Sequence, residues 1–321
     1  MNSPLPYFAE PVLLIGFNRP DLLVQVIERL RTAQPRRVYI AIDGPRSGHP
    51  DDPWKVQACR DAALTIDWTS DLHLLFHEEN LGCGRAVSAA LAWFFSCEER
   101  GVIIEDDILP APSFLEFCST LLDRYAQNPQ VGSISGCNLV PDYAMSTPET
   151  QYRFSQITHV WGWATWRRAW EHYRFDLSDW RAQLSTETLW RCTGGSLTGT
   201  LHWGAAFDAV RRGLIDTWDI QWVFSSMCAG QLTATTNVNL ASNQGFEREP
   251  THPVPVAPAQ QPVGRIDAPI SSVPVRVDTR ADAWTLKHHF QAPARAAMAV
   301  RSRDPYFAEF VREIRELSSA R

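Results

Sequence analysis

The stretch Gly101-Val102-Ile103-Ile104-Glu105-Asp106-Asp107-Ile108-Leu109-Pro110 decides the fold of this chain, because three acids directly follow a short apolar run. The run Val102-Ile103-Ile104 is typical of a strand that is buried on both faces of a parallel sheet. A strand cannot bury three charges, so the sheet must end near Glu105. In an open α/β sheet this carboxyl edge is where ligands bind. The segment therefore predicts a parallel sheet with a polar site at its edge.

The acidic triplet Glu105-Asp106-Asp107 also predicts a metal site. Three adjacent carboxylates repel one another, which raises their pKa values unless a cation or hydrogen-bond donors compensate. Mg²⁺ and Mn²⁺ prefer oxygen ligands, and such ions are held by one or two protein carboxylates together with substrate phosphates. A solvated acidic turn before a helix is the alternative, since acids favour helix N-termini. That alternative leaves the preceding apolar run unexplained.

The composition is that of an ordinary globular enzyme. The 321 residues are 45% hydrophobic and 21% charged, and a net charge of -6 argues against a nucleic-acid binder. The seven cysteines are odd in number and contain no C-x-x-C pair, which predicts reduced thiols and no zinc site. No apolar run is long enough to span a membrane, and no secretory signal pattern opens the chain. These features predict a cytoplasmic protein.

Apolar runs alternate with helical patterns over the first third of the chain. Strands are predicted at 12–16, 38–42, 72–76 and 102–104, with an amphipathic helix between each pair. This alternation gives right-handed crossovers and a doubly wound, mostly parallel sheet. The strand ends then meet at one edge and bring together Arg19, Asp43, the turn Gly82-Cys83-Gly84-Arg85 and the acidic triplet. The convergence predicts a nucleotide-type pocket with two cations, a glycine turn and a metal cage.

Two tryptophan-rich stretches have two interpretations each. Trp161-Gly162-Trp163 lies in a run with a third indole at Trp166. These rings either fill the core ahead of a helix or form a wall for a sugar ring. The stretch Ile215-Asp216-Thr217-Trp218-Asp219-Ile220-Gln221-Trp222 again combines acids with indoles.

The C-terminal quarter changes in character. Seven prolines between residues 250 and 274 exclude a long helix or a central strand, which predicts an extended linker over residues 253–280. Residues 281–321 are predicted to form a helical segment that ends in an amphipathic helix with Phe307, Phe310 and Ile314 on its apolar face. We expect this face to dock on the catalytic core. Peripheral contact with the inner face of a membrane, or with a partner, is the alternative.

Across residues 11–252 the chain resembles the GT-A glycosyltransferases, in particular the N-acetylglucosaminyltransferase I-like group and bacterial family 2-like relatives. The most specific motif is Glu105-Asp106-Asp107 directly after an apolar strand, which is similar to the metal-binding D-x-D of that group. The resemblance implies a Rossmann-like GT-A catalytic domain over residues 1–252. It also implies Mn²⁺ or Mg²⁺ at Asp107, and contacts from Glu105 and Asp106 to the donor sugar nucleotide.

The resemblance implies further roles at matching positions. Arg19 matches the arginine that contacts the donor phosphates, and Asp43 matches the acid that contacts the nucleoside. Trp161, Gly162 and Trp163 resemble the aromatic-glycine loop of acceptor sites. The stretch Trp218–Trp222 resembles the one that holds the catalytic base, with one extra residue and one acid fewer, so the base is Asp219 or Asp216. His252 is expected near the diphosphate as a second metal ligand.

The implied function is that of a metal-dependent inverting glycosyltransferase. A sugar would move from a nucleoside diphosphate donor, expected to be UDP-linked, to a hydroxyl of a glycan or lipid-linked saccharide. The metal and Arg19 would stabilise the leaving diphosphate, and a carboxylate would act as general base. A sugar-nucleotide nucleotidyltransferase is one alternative, although the turn Phe17-Asn18-Arg19-Pro20 lacks the usual glycine-rich loop. A catalytically silent glycan-binding protein on the same fold is the other.

Overall fold

A computed structural model describes residues 8–245, 262–299 and 304–319 of the chain. His252 and four of the seven clustered prolines lie outside these described residues. Within them the strands are β1 (Val12–Gly16), β2 (Arg37–Ile42), β3 (Asp71–Phe76), β4 (Arg100–Glu105), β5 (Ile108–Pro110), β6 (Val131–Ser135), β7 (Tyr152–Ser155), β8 (Trp163–Trp166), β9 (Leu232–Thr236) and β10 (Ala241–Asn243).

The helices alternate with the first strands and dominate the second half of the chain. They are α1 (Pro20–Ala33), α2 (Asp52–Ala63), α3 (Cys83–Cys97), α4 (Phe114–Arg124), α5 (Arg167–Trp170), α6 (Trp180–Gln183), α7 (Thr186–Cys192), α8 (Leu197–Arg211), α9 (Asp219–Cys228), α10 (Thr279–Trp284), α11 (Ala292–Ala299) and α12 (Pro305–Ser319). A 3₁₀ turn at Asp142–Ala144 and a π-helical turn at Thr285–His289 complete the set. Among these helices, none combines the length and the apolarity that crossing a membrane requires.

The central sheet has eight strands in the order β3-β2-β1-β4-β8-β6-β9-β7. Strands β3, β2, β1 and β4 are mutually parallel, which confirms the predicted parallel unit. Strand β8 is antiparallel to both β4 and β6, and β7 is antiparallel to β9, so the sheet is mixed but mostly parallel. A second, two-stranded antiparallel sheet pairs β5 with β10.

Alternate side chains of the strands feed two cores, because successive residues of a strand point to opposite faces. On one face Leu14 and Ile104 pack with helices α1, α2 and α4. On the other face Leu13 and Ile103 pack with α3 and with Trp163. Helices therefore cover both faces of the sheet, and the predicted doubly wound α/β class is confirmed.

The strand β8 was not predicted from the sequence. Its residues Trp163–Trp166 were expected to precede a helix, whereas they form the only antiparallel strand between β4 and β6 among the described residues. The four residues are all buried, and Trp163 has no exposed surface. A run this short shows too little alternation to be distinguished from a loop by its pattern alone.

The C-terminal helices complete a separate helical layer. The buried residues Phe307, Phe310 and Ile314 of α12 share one apolar cluster with Trp180, Trp203 and Phe207. The predicted helix is therefore present, and its docking on the rest of the chain is confirmed. These contacts bury the apolar face of α12, which is the face that would have to contact a membrane in the alternative interpretation.

The described part of the proline-rich segment is extended and in contact with the sheet. Ile266 and Ile270 lie in the same core cluster as α4. The amide of Ile266 donates to Ser113 Oγ at 3.1 Å, and Phe154 of β7 pairs with Val277. The division into parts at 252 and 280 stays a prediction.

The contact between α8 and α12 depends on a glycine. A Cβ at Gly204 would overlap the ring of Phe310, which is fully buried and cannot move aside. We expect Gly204→Ala to lower the free energy of unfolding by about 1–3 kcal/mol through overpacking. A thermal melt would show this as a fall in melting temperature.

The matched control is Gly199→Ala in the same helix. A Cβ there would meet the flexible end of Leu286 at 2.8 Å, and alanine gains helix propensity of about 1 kcal/mol over glycine. We expect a smaller effect than at Gly204. Equal melting temperatures for the two variants would contradict the assignment of a tight α8–α12 contact.

Candidate functional site

The loops that follow β1, β2, β3 and β4 meet at one edge of the sheet. The backbone amide of Phe17, after β1, donates to Asp106 Oδ2 at 3.1 Å, across from the end of β4. Asp43, at the end of β2, accepts a hydrogen bond from the amide of Leu81, after β3, at 3.0 Å. The predicted convergence of these strand ends is therefore observed.

The acidic triplet splits between the two faces of the sheet. Asp106 continues the face of Ile104 and is 6% exposed, beneath the loop that follows β1. Glu105 continues the face of Ile103, where α3 and the start of α9 pack. Asp107 lies beyond the strand end and turns toward Arg19. One short segment thus presents carboxylates in three directions.

The ion pair between Arg19 and Asp107 is the central contact of the site. Arg19 Nη1 donates to Asp107 Oδ2 at 2.7 Å and lies 3.8 Å from Asp106 Oδ1. Gly245, just after β10, closes over this pair, because a Cβ there would collide with the Asp107 carboxylate. The amide of Gln244 donates to the carbonyl of Asp107 at 2.7 Å, which holds the backbone of Gln244 and Gly245 against Asp107.

Burial raises the pKa values of all three acids, and repulsion between carboxylates adds to the rise for Glu105 and Asp106. Burial, followed by the charges of Asp107 and Asp106, raises the pKa of Glu105 well above its ordinary value. Burial and the neighbouring Asp107 raise the pKa of Asp106 to about 7. Burial also raises the pKa of Asp107, against the opposing effect of Arg19. The cluster therefore carries more buried negative charge than one guanidinium compensates.

Asp43 is held rigidly by the loop after β3. Its carboxylate accepts from the amides of Gly44 at 2.9 Å and Leu81 at 3.0 Å, and from Asn80 Nδ2 at 2.8 Å. Burial raises the pKa of Asp43, and the amides of Leu81 and Gly44 oppose that rise. The side chain is 7% exposed, so it joins two loops and leaves little surface for a ligand.

The glycine turn before α3 binds a carboxylate from the chain itself. The amide of Gly84 donates to Asp216 Oδ1 at 3.1 Å. A Cβ at Gly82 or Gly84 would lie 2.5 or 2.6 Å from the same carboxylate, which explains both glycines. A helix N-terminus favours an anion, and here Asp216 is that anion. That this turn belongs to a nucleotide pocket stays a prediction.

Asp219 is the first residue of α9 and lies near Glu105. Its Oδ1 accepts from the amide of Ile220 at 2.8 Å and from the hydroxyl of Thr217. Its charge contributes to the raised pKa of Glu105, and its neighbours Trp218 and Trp222 pack on the same face of the sheet as Ile103. Asp216 is instead engaged by α3, so the two candidate bases have different surroundings.

The indoles around Asp219 belong to the core. Trp163 stacks on Trp218 with ring centroids 5.5 Å apart and lies 5.8 Å from Trp222. Trp163 and Trp222 have no exposed surface, and Trp218 is 3% exposed. Trp163 therefore fills the core, as one of the two interpretations predicts. No face of its ring is available to a sugar. These rings fix the start of α9 against the sheet.

The neighbours of Trp163 in the predicted acceptor loop differ from it. Trp161 is partly exposed and lies 6.3 Å from the ring of His289. Gly162 has φ +63, and its carbonyl accepts a hydrogen bond from the amide of Gly136 at 2.8 Å. Of the three residues, Trp161 alone is partly exposed.

Arg85 does not join Arg19 at the triplet. Its guanidinium lies over the ring of Phe175, 5.5 Å from the centroid, in the wall of a cleft beside α3. The sequence placed it correctly on the first turn of a helix at the strand edge. The direction of its side chain depends on Phe175, which is 90 residues further along and gave no signal in the sequence.

Among the described residues, the side chains at this site need oxygen atoms from a ligand to complete the coordination of a divalent cation. The described residues contain no group of three His, Cys, Asp or Glu side chains arranged to hold a metal. Asp107 is the most accessible oxygen donor of the triplet toward Arg19, and the cluster has excess negative charge. This donor set fits the type in which one or two carboxylates bind the ion and phosphate oxygens complete its coordination.

Several residues of the site were missed in the sequence. Cys83 lies close to Glu105, Asp219 and Asp216, whose charges add to burial in raising its thiol pKa. The hydroxyl of Tyr173 donates to the carbonyl of Trp218 at 3.3 Å, just before Asp219. Cys83 lies in the glycine turn and Tyr173 follows α5, but nothing in the sequence connects either residue with Asp219, so only the fold reveals their place in the site.

The buried triplet predicts a pH-dependent stability in the presence of a metal chelator. The pKa of Asp106 is about 7 in the folded chain and ~3.9 in the unfolded chain. The folded state therefore binds more protons between these values, and stability falls as pH rises through that window. We expect Asp106→Asn, which can still accept from Phe17, to melt at a higher temperature than the wild type at pH 8.

The advantage of Asp106→Asn should shrink as the pH is lowered toward 4, where the wild-type carboxyl is protonated. Asp142→Asn, at an exposed acid, is the control and should follow the wild type. Melting curves that keep a constant gap between Asp106→Asn and wild type from pH 4 to 8 would contradict the raised pKa.

Comparisons with known proteins give matches only among solved structures. No protein-family model matches the chain, and no curated protein matches it. Among solved structures, the inositol-1-phosphate CTP transferase from T. maritima aligns with 71% of this chain and 85% of its own, at 9% identity and a TM-score of 0.34.

Proposed function

We propose that this chain is a metal-dependent glycosyltransferase that uses a nucleoside diphosphate sugar. The observation that carries the proposal is the Arg19–Asp107 pair, at 2.7 Å, within a buried acidic triplet at the carboxyl edge of the sheet. The guanidinium of Arg19, the acidic triplet and Asp219 at the start of α9 lie close together. This is the set of charges that diphosphate departure from a sugar requires.

The donor binds along the sheet edge. Asp107, with the diphosphate of the donor, would hold Mn²⁺ or Mg²⁺, and the bound ion supplies positive charge to the leaving group. Arg19 binds the same diphosphate from the other side. Glu105 and Asp106 contact the sugar nucleotide, and Asp43 supports the nucleoside end through the loop that it orders. UDP as the nucleotide stays a prediction, supported by the resemblance alone.

Asp219 is the residue that we assign as the general base. Its Oδ1 is occupied by Thr217 and Ile220, which orients the carboxylate beside Glu105. The acceptor hydroxyl attacks the anomeric carbon and gives its proton to Asp219. The bond from that carbon to the β-phosphate oxygen breaks, and its electron pair leaves with the diphosphate. One direct displacement inverts the configuration at carbon.

Trp161 is the residue that we assign to the acceptor site, with Gly162 supporting it. The ring of Trp161 is partly exposed, and sugar faces pack on aromatic rings. His252 lies seven residues beyond Gly245, which closes over Asp107. Its role as a second metal ligand stays a proposal, as does the cytoplasmic location.

The test of metal binding is Asp107→Ala. We expect the wild type to be stabilised by Mn²⁺ and UDP together, by about 2.7 kcal/mol at a ligand concentration 100 times the dissociation constant. The variant should lose this stabilisation and any metal-dependent transfer, because the carboxylate that accepts from Arg19 at 2.7 Å is removed. Thermal shift and transfer assays measure both effects.

Asp142→Ala, at an exposed acid far from any described carboxylate cluster, is the control and should keep the full shift. An Asp107→Ala protein that still shows a Mn²⁺-dependent shift with UDP would remove the basis of the proposal. Release of pyrophosphate, instead of UDP, from a panel of substrates would identify a nucleotidyltransferase.

The test of the base compares Asp219→Asn with Asp216→Asn. General base catalysis contributes ~10²–10⁴-fold in rate, so Asp219→Asn should lower kcat by that range while UDP binding is unchanged. Asp216→Asn keeps an acceptor oxygen for Gly84 and should lose stability more than rate. Steady-state kinetics and calorimetric titration with UDP separate these effects. A kcat loss confined to Asp216→Asn would reverse the assignment.

A further inference from the structure

Three histidine rings lie around Phe290 in the helical layer of the chain. His159 comes from the loop between β7 and β8, His202 from α8 and His289 from the π-helical turn. The ring of Phe290 lies 6.1, 5.2 and 4.7 Å from these three rings, in that order, measured between centroids. His159 and His289 also lie 5.6 Å apart. We call these four rings the imidazole cluster.

One nitrogen of the imidazole cluster has no partner. Nδ1 of His289 is buried and forms no hydrogen bond within the described part of the chain. A buried polar atom without a partner is costly, and π-helical turns such as the one that ends at His289 are frequent at functional sites. A metal is not the ligand that this cluster suits, because no three His, Cys, Asp or Glu side chains in the described ranges are arranged to hold one. The nitrogen is therefore open to a hydrogen-bonding ligand.

Arg295 supplies a positive charge beside the imidazole cluster. It lies on α11 between Ala292 and Ala296, which are buried where α11 packs along α8. The residue is partly exposed and forms no ion pair with a described carboxylate. Burial, followed by the charge of Arg295, lowers the pKa of His202 to about 3 and that of His289 to about 4. Both imidazoles are therefore neutral at pH 7, and each keeps one N–H donor near a cation.

The imidazole cluster lies beside the residue that we assign to the acceptor site. The ring of His289 is 6.3 Å from that of Trp161 and nearly perpendicular to it. Trp161 comes two residues before β8, which begins opposite Ile103, and Ile103 is two residues before the end of β4 at Glu105. Trp161 therefore leaves the sheet at the edge that carries the acidic triplet. Trp161, His289 and Phe290 are all partly exposed, and sugar faces pack on aromatic rings.

We propose that Arg295, His202 and His289 bind the carboxylate of an acidic sugar, so that the acceptor carries a uronic acid. The inference rests on the proposed function for the identity of this ligand as the acceptor. One guanidinium without a described carboxylate partner matches the single charge of a carboxylate, and its planar fork can bind both oxygens of that group. The neutral imidazoles donate further hydrogen bonds to the carboxylate or to a neighbouring hydroxyl. The subsite thereby selects acidic over neutral saccharides.

The test is an NMR titration of the full chain with methyl glucuronide and with methyl glucoside, followed at the ring protons of the histidines. The two probes differ in the carboxylate, and charge-assisted hydrogen bonds contribute about 10-fold or more in affinity. The wild type should therefore bind methyl glucuronide at least 10-fold more tightly than methyl glucoside. Inorganic phosphate should bind more weakly than methyl glucuronide, because it has no sugar ring to pack on Trp161.

Three variants separate the charge from the ring contacts. Arg295→Gln removes the cation and should abolish the difference in affinity between the two probes. Lys287→Gln is the matched control, because it removes the same charge from an exposed position two residues before His289, and it should keep the full difference. His289→Phe keeps an aromatic ring beside Trp161 and Phe290 and should weaken methyl glucuronide about 3–10-fold. Its melting temperature should not fall, since a buried nitrogen without a partner is removed.

Steady-state kinetics provide a second measurement. With a competent donor, Arg295→Gln should raise the KM of an acceptor that contains a uronic acid about 10-fold and leave the KM of a neutral acceptor unchanged. The kcat for either acceptor should stay at the wild-type value, because the guanidinium binds a group that takes no part in the displacement.

Four results would overturn the proposal: equal or no binding of the two probes by the wild type, an undiminished preference in Arg295→Gln, an equal loss in Lys287→Gln, or tighter binding of inorganic phosphate than of methyl glucuronide. Binding of UDP with Mn²⁺ is measured in parallel by calorimetry on the same proteins. A preference for methyl glucuronide without binding of UDP means that the proposed function fails and the carboxylate subsite remains. The reverse result rejects the subsite and leaves the proposed function in place.

Discussion

The structure depends on the burial of three adjacent carboxylates at the end of β4. A charge moved from water into the interior is costly unless a partner compensates it. The fold provides Arg19, an amide from Phe17 and little more among the described residues, so the carboxyl pKa values stay raised. Every neighbouring element is arranged around this excess of charge. Gly245 comes close without adding a side chain, and the loop after β1 gives its first amide to Asp106.

Helix α9 links this charged edge to the helical layer. Trp222 on one side of α9 packs with Trp163 and the sheet, while Val223 and Phe224 pack with α8 and α12. The position of Asp219, at the first turn, is therefore determined by two cores at once. The C-terminal helices are part of what holds it, although they lie far from the triplet in sequence.

The sequence predicted the parallel half of the sheet because buried strands and amphipathic helices have clear periods. It placed Arg19, Asp43 and the triplet at one edge, since the ends of parallel strands always meet there. It did not predict β8, whose pattern is too short, or the directions of Arg85 and Trp163. Those depend on Phe175, Trp218 and Trp222, and contacts over such separations leave no local pattern. The bond between Gly84 and Asp216, 132 residues apart, shows the same limit.

The carboxylate of Asp216 at the start of α3 has a consequence for competition with solutes. Because it is tethered to the chain, it acts at an effective concentration on the order of millimolar or above. Inorganic phosphate and small anions of the surrounding solution must displace it before they reach those amides. The helix end is thereby shielded from ambient anions.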